Sequence, residues 1–313
     1  MVDFERILEW EGPECECFYK YPLQVPVWGT LFLMWYSMYM IFVTFVSTFP
    51  MIIDFCLATV FNIVWFLAMT SLFWAAWMPP AKIPDRFKLP IEIAKMKKND
   101  DYYFTLADYI QKFPTFPFRY CDETLSNGEE IRVARVCDQC KCFKPLRSHH
   151  CSTCKTCIPR MDHHCPVIGK CVHYHNHKGF LCFLFWASMV CLVGAIHLTP
   201  DMANFVLHVL SNPKLDDMAF TIPAVISLYG AANAIVFGIA LIAFQYVSWA
   251  KLLDNETTLE NSRKIYDFSR GSWIENIKTI MGPNPWTWFI PFATTEGDGF
   301  TYEFKVIQES SEN

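Results

Sequence analysis

Four stretches of this chain stay apolar long enough to cross a bilayer: Pro26 to Thr48, Met51 to Met78, Phe180 to Thr199 and Phe220 to Trp249. A span needs about 20 apolar residues at about 1.5 Å rise each. Cysteine and tyrosine aside, the only ionisable side chains inside them are Asp54, near the start of the second, and His197, near the end of the third. Both are expected to reach the lumenal interface. Asn62, Asn233 and Gln245 are costly in lipid and are expected to face other helices, and no ion path is read from such scattered groups. Only Phe49 and Pro50 separate the first two stretches, which predicts a tight helical hairpin. Pro26 and Pro223 stand in opening turns, where a missing N–H costs least. The pattern predicts an all-α membrane protein with four transmembrane helices and a polar insertion between helices 2 and 3.

The basic residues orient it. Of the 26 Lys and Arg, 17 lie between Pro79 and Lys178, whereas Pro200 to Ala219 holds only Lys214 and the first hairpin turn none. The positive-inside rule puts the insertion and both termini in the cytosol. Trp28, Trp77 and Trp249 fall at the interfaces, as an aromatic belt would. The predicted plan is 1–25 cytosolic N-terminus, 26–78 helices 1 and 2, 79–136 connector, 137–178 cysteine-rich domain, 180–249 helices 3 and 4, and 250–313 cytosolic C-terminal region. The connector reads as irregular, with one short helix near Ile91 to Lys98, and the chain after Gly297 as frayed. The acidic start is unlike a signal peptide, and Val2 excludes N-myristoylation.

Composition agrees: 53% hydrophobic and 17% aromatic residues exceed what a soluble domain carries. A net charge of −5 gives no reason to expect a nucleic-acid partner. The 14 cysteines cluster in metal spacing, which fits a reducing compartment.

The chemistry concentrates between Cys137 and Cys171, where eight cysteines and four histidines share 35 residues. The run is Cys137-x2-Cys140, His150-Cys151-x2-Cys154-x2-Cys157, Asp162-His163-His164-Cys165 and Cys171. Cys-x2-Cys pairs with nearby histidines are zinc-ligand spacing. There are ligands for two ions with cysteine to spare, and a spare cysteine beside an acid and a histidine is a candidate nucleophile. No internal repeat is visible beyond the cysteine pattern.

This segment resembles the DHHC protein S-acyltransferases, or palmitoyltransferases. The likeness rests on Cys137-Asp-Gln-Cys140, on Lys144-Pro145-Leu-Arg147-Ser-His149-His150-Cys151 through Cys157, on Met161-Asp162-His163-His164-Cys165-Pro166, and on Cys171. Thr257-Thr258-Leu259-Glu260 looks like the family's Thr-Thr-x-Glu motif. Tyr266-Asp267-Phe268 through Gly271, Asn276 and Gly282 resembles its C-terminal motif. The chain departs from the family at Val167, where Trp is usual, and at Gly169-Lys170, where Asn-Asn is usual. No Asp-Pro-Gly motif follows the second span.

The resemblance implies two structural Zn2+ sites: Cys137, Cys140, His150 and Cys157, then Cys151, Cys154, His164 and Cys171. Disulfides are the competing reading of these cysteines. Cys142 has no family role and reads as a bystander thiol. The resemblance also implies an acyl-Cys165 intermediate, with His163 as base and Asp162 holding the imidazole. More zinc ligation is the competing reading there. Acyl-CoA is the implied co-substrate. Its phosphates would meet Arg135, Lys144, Arg147 and His149, for which surface charge, or a fold-supporting hydrogen bond at Lys144 and Arg147, is the competing reading. The acyl chain would lie among Val167, Trp28, Phe185, Trp186 and Val190, each of which could equally be packing. Thr257, Thr258, Glu260 and Asn276 are expected to be structural. The expected function is transfer of a long-chain acyl group, palmitoyl, to cysteines of membrane-associated proteins, in the Golgi, ER or plasma membrane. The alternative is a membrane-tethered zinc module that recruits partners, or a weakly active homologue. A channel or transporter has no support beyond the four spans.

Overall fold

The apolar stretches fold as helices in a computed structural model that describes residues 24–45, 47–113, 118–211, 218–261, 266–292, 297–303 and 305–306. Residues 1–23, with Cys15 and Cys17, the loop residue Lys214 and the side chain of Trp28 lie outside the described residues. Helix α1 spans Gln24–Phe45 and α2 Met51–Trp77. The connector carries two helices, α3 (Ile91–Ala94) and α4 (Asp100–Gln111), and a hairpin of β1 (Tyr120–Thr124) with β2 (Glu130–Ala134). Three shorter hairpins follow: β3 (Val136–Cys137) with β4 (Cys142–Phe143), β5 (His149–Cys151) with β6 (Thr156–Ile158), and β7 (His163–Cys165) with β8 (Lys170–Val172). Two long helices come next, α5 (His177–Ser211) and α6 (Met218–Leu253). The C-terminal region holds α7 (Thr258–Asn261), β9 (Tyr266–Asp267), α8 (Trp273–Met281) and β10 (Lys305–Val306), with β10 paired to β9.

Among the described residues, three helices are long and apolar enough to cross a membrane: α2, α5 and the Val225–Leu253 part of α6. The apolar stretch Gly29–Phe45 of α1 is shorter. Helix α5 is central, with 67% of its apolar window buried against 17% in α2 and 28% in α6. The outer helices therefore present their apolar faces outward, as lipid-facing helices do.

Helix α5 does not stop at Thr199 as expected but runs through Pro200 to Ser211. A proline inside a helix forfeits one backbone bond. Leu198 and Met202, on either side of it, pack into one core with Tyr39, Phe42 and Phe61, and Thr48 hydrogen-bonds Asp201. At about 1.5 Å per residue the helix outruns a bilayer core of about 30 Å, so one end projects beyond it.

The intramembrane polar groups find one another. His197 is fully buried, with Nδ1 2.8 Å from the Tyr39 hydroxyl and Nε2 2.8 Å from Asp54 Oδ1. This network ties α1, α2 and α5 together, so the two groups expected at the lumenal surface are satisfied inside the protein. Tyr36 donates to Asn62 at 2.7 Å and Ser188 to Gln245 at 3.2 Å, both between helices, whereas Asn233 bonds its own helix at Tyr229.

The connector is more regular than expected. The expected helix stops at Ala94, and a second begins at Asp100 because the Asn99 side chain accepts the Tyr102 N–H. Tyr102 and Leu106 then bury against Phe87, Phe118, Phe143 and Phe300. Phe300 belongs to the stretch expected to be frayed; it is 4% exposed, and Gly299 lies against the Tyr174 ring.

Gly179, in the first turn of α5, marks the tightest helix contact. A Cβ there would stand 2.8 Å from Trp74 Cδ1 and 3.4 Å from the Ala75 nitrogen. Gly179→Ala is expected to cost about 1–3 kcal/mol through overpacking, read as a lower thermal midpoint of the detergent-purified protein. Gly29→Ala, where a Cβ meets nothing within 4 Å, is the control and is expected to leave the midpoint in place.

Candidate active site and metal centres

The cysteine-rich segment is one hairpin used three times. Cys137, Cys151 and Cys165 recur every 14 residues and pair across their hairpins with Cys142, Thr156 and Lys170. Each turn passes through a residue in the left-handed region: Lys141 (φ 49°), Lys155 (φ 57°) and Gly169 (φ 68°). Gly169, a departure from the family pattern, meets this backbone demand without a Cβ. Only cysteine spacing was visible in sequence as repetition. The strands are two or three residues long, and the side chains around the shared backbone differ among copies.

The metal groups join one hairpin to the next. Cys137 and Cys140 lie in the first hairpin, and the cross-strand pair His150 and Cys157 in the second. Cys151 and Cys154 lie in the second, and the cross-strand pair His164 and Cys171 in the third. Within each group the ligand atoms all lie within 4.8 Å of one another, so each could hold a metal ion. His150 Nδ1 is 3.4, 3.3 and 4.0 Å from the sulfurs of Cys137, Cys140 and Cys157. His164 Nδ1 is 3.6, 3.5 and 3.6 Å from those of Cys151, Cys154 and Cys171. Tetrahedral zinc with Zn–S about 2.3 Å and Zn–N about 2.0 Å sets S···N near about 3.5 Å. The donor sets fit that ion. All cysteines among the described residues are free thiols.

The third hairpin breaks the pattern at one position. Where the first two carry Cys140 and Cys154, it carries Ile168, which is 1% exposed. Cys165 therefore has no chelating partner in its own turn. It packs instead with Ile168, Val172, Leu72 and Ala76 of α2, and Phe180 and Phe183 of α5, with Val167, Phe32 and Leu241 beside them. The thiol thus sits at the end of the helix bundle, in apolar surroundings.

Asp162, His163 and Cys165 lie together. His163 Nδ1 is 2.7 Å from Asp162 Oδ2, and Cys165, two residues on along β7, shares the face of His163. Burial alone would raise the Asp162 pKa; the His163 bond and the Thr258 N–H outweigh it and hold the carboxyl below the usual range. Burial alone would lower His163, but its bond to Asp162 and the neighbouring Cys165 thiol push it up to about 9. Thr258 fixes the carboxylate from the far side, its N–H donating to Oδ1 at 2.8 Å and its hydroxyl to Oδ2 at 3.0 Å. Nothing in the sequence spacing, 96 residues apart, announces this contact.

Arg147, expected among the acyl-CoA cations, is turned inward with 1% of its side chain exposed. It makes two bonds to Glu260, at 2.8 and 2.6 Å, donates to the Asn255 carbonyl at 2.6 Å, and lies 4.1 Å over the Phe268 ring. No face is left for a phosphate. Burial would raise Glu260, but Arg147 holds its carboxyl low. Asn276 closes the C-terminal loop, donating to the Leu253 carbonyl and accepting the Arg270 N–H, each at 2.7 Å. Thr257, fully buried, donates its N–H to Glu260.

The remaining cations form a basic corner. Arg119, Arg135 and Lys144 are backbone neighbours, and Arg119 Nη1 lies 2.9 Å from His149 Nε2. Burial, then Arg119, pushes His149 down to about 3, so it is neutral. Arg135 and Lys144 line an open cavity of about 400 Å³ with Lys98, Tyr102 and Tyr103. Of the expected acyl-lining residues, Val167 packs with Cys165, and Val190 lies in the core around Tyr39 and Phe61. Phe185 and Trp186 face Phe289 of the C-terminal segment instead, with ring centroids 4.3 Å apart for Phe185 and an Nε1 bond of 2.8 Å for Trp186.

Sequence reasoning missed Arg119, Arg160 and Asn176. Arg160 is fully buried, bonding His177 Nδ1 at 2.9 Å and Asn255 at 3.3 Å. Asn176 donates to the carbonyls of Ala75 and Cys171, at 2.9 and 3.0 Å, and so locks the last hairpin to α2. Arg160 and Asn176 are buried and Arg119 half-buried, and as common polar residues they carry no signal in the sequence.

Glu260→Ala would strand a buried guanidinium. It is expected to cost about 3–5 kcal/mol, measured by thermal unfolding and by faster limited proteolysis between residues 79 and 178. The double variant Arg147→Met/Glu260→Leu is expected to recover most of that loss.

Comparison with known proteins converges on the same segment. The family model described as DHHC palmitoyltransferase matches residues 131–265. The chain is 28% identical to palmitoyltransferase ZDHHC15 of Xenopus laevis, over 80% of this chain and 72% of that one. It is 27% identical to palmitoyltransferase ZDHHC20-B of Danio rerio, over 83% and 80%. With palmitoyltransferase ZDHHC2 of Rattus norvegicus the identity is 31%, over 57% and 48%. The repeated hairpins, the Asp162–His163 pair beside Cys165 and these matches together assign the chain to the DHHC family of protein S-acyltransferases.

Proposed function

We propose that this enzyme takes a long-chain acyl group, palmitoyl, from acyl-CoA onto Cys165 and passes it to cysteine thiols of membrane-associated proteins. The observation that carries this is the Cys165 thiol, two residues along β7 from the Asp162-bonded His163 and set among apolar residues of α2 and α5. In the first step the Cys165 sulfur bonds the acyl carbonyl carbon as its proton passes to His163. The bond to the CoA sulfur breaks, and the leaving thiolate takes the proton. In the second step an acceptor thiol gives its proton to His163 as its sulfur attacks the acyl carbonyl carbon; the bond to the Cys165 sulfur breaks, and Cys165 takes that proton back. Asp162, held by Thr258, keeps the imidazole aligned throughout. His164 takes no part as base, since its Nδ1 faces three thiols.

The two Cys3His groups are zinc sites in this reading. With every ligand position filled by protein they hold the segment 137–178 together and leave no place for a reacting water. Helix α1 completes a four-helix membrane domain, 26–78 with 180–249. Segment 79–136, the zinc domain and both ends, 1–25 and 250–313, then lie in the cytosol of an endomembrane or plasma-membrane protein. CoA phosphates are met by Arg119, Arg135 and Lys144, with neutral His149 as a hydrogen-bond partner. The acyl chain runs from Val167 toward Val190, between α1 and α5.

Incubation with labelled palmitoyl-CoA tests the reading. Wild type is expected to take up hydroxylamine-labile label. Cys165→Ser is expected to lose it while keeping two zinc ions, whereas Cys154→Ala loses metal and becomes protease-sensitive. No label on wild type would leave the membrane-tethered zinc module, and loss of one zinc from Cys165→Ser would make Cys165 a ligand. Arg119→Ala/Lys144→Ala is expected to raise the KM for acyl-CoA about 10-fold or more with a small change in kcat; an unchanged KM would remove the basic corner from the binding site.

A further inference from the structure

The two metal groups have the same donors but different surroundings. A fourth thiol adjoins the first. Cys142 is 4% exposed, pairs across its hairpin with Cys137, and packs in one buried cluster with Cys137, Cys157 and Cys140. It stands outside the set whose ligand atoms all lie within 4.8 Å of one another. The equivalent positions in the other hairpins are Thr156 and Lys170, which bring no sulfur to the second group.

The histidine of the first group also differs from that of the second in its second ring nitrogen. Once Nδ1 of His150 faces the metal position, Nε2 carries the ring proton, and that atom is buried with no hydrogen-bond partner among the described residues. Metal-bound histidines ordinarily give this proton to an acceptor that fixes the ring. His164 has no such orphaned atom. His150 further lines the cavity of about 400 Å³ beside α4, so its ring has space to turn into.

We propose that Cys142 is a reserve ligand of the first metal group. When the His150 nitrogen releases the ion, the Cys142 sulfur takes its place and the site passes from three sulfurs and one nitrogen to four sulfurs. The metal–nitrogen bond breaks, a metal–sulfur bond forms, and the Cys142 proton goes to solvent; no electrons are exchanged. The exchange suits a borderline-soft ion that accepts thiolate and imidazole alike. Its consequence is asymmetry: the first group tolerates loss of its histidine and the second does not. This inference rests on the zinc reading of the two groups.

Metal analysis of the full detergent-purified chain, with cobalt-substituted absorption spectra, tests it. Wild type is expected to hold two metals. His150→Ala is expected to keep both, with a stronger sulfur-to-cobalt charge-transfer band, and His150→Ala/Cys142→Ser to keep one. His164→Ala is expected to keep one. His150→Ala holding a single metal would overturn the proposal. Should His150→Ala not fold, Cys142→Ser decides, because it retains all four primary ligands. A chelator is then expected to strip one of its two metals several-fold faster than from wild type, since a half-released ion has no fourth thiol to recapture it. Identical release rates would overturn the proposal, and a metal-free wild type would overturn the zinc reading beneath it.

Discussion

Sulfur and imidazole hold the catalytic segment in shape. Its strands are two or three residues long, and such hairpins do not persist alone in water. Around them the buried side chains are largely the ligand cysteines themselves, with Ile158 and Met161 as the main aliphatic company. Each hairpin presents its turn cysteines to the next hairpin's cross-strand His–Cys pair, so a metal ion in each group would cross-link the three in series. The third hairpin has no successor. Its turn is closed by Ile168 instead of cysteine, and Cys165 belongs to neither metal group.

That last hairpin is then fixed to the membrane domain and the C-terminal region by polar contacts between distant parts of the chain. Asn176 bonds α2 through the Ala75 carbonyl. Thr258, just past α6, grips Asp162. Arg147 and Arg160 reach across to Asn255 and Glu260. Buried charges are costly unless paired and hydrogen-bonded. Here that cost enforces geometry, because the guanidinium of Arg147 is satisfied only when Glu260 and Asn255 come to it. The C-terminal motif acts on the active site through these contacts, without touching the thiol.

Much of this was legible from local pattern. Long apolar runs announced α2, α5 and α6, since a helix in lipid needs continuous hydrophobicity. The clustered cysteines and histidines announced both metal groups, and Asp162-His163-His164-Cys165 placed an acid, an imidazole and a spare thiol side by side. The connector was harder to read. Asn99 did cap a helix, but the Lys- and Asp-rich composition around it resembled a loop, and the aromatic residues that stabilise it converge from as far away as Phe300. Pro200 marked a helix end in sequence, yet packing on both sides carried α5 through it.

The chain by itself determined which elements form and which residues can bind metal or attack a thioester, because periodicity and donor chemistry are local properties. Tertiary structure decided which of the cations remain open to a ligand. Arg147 and Lys144 are both basic residues of one short stretch, and only the approach of Glu260, more than a hundred residues later, buries the first and leaves the second lining a cavity. It also decided that Cys142 adjoins a metal group, since Cys140 lies in its own hairpin and Cys157 comes from the next. Such pairings depend on long-range register, to which the one-dimensional pattern is blind.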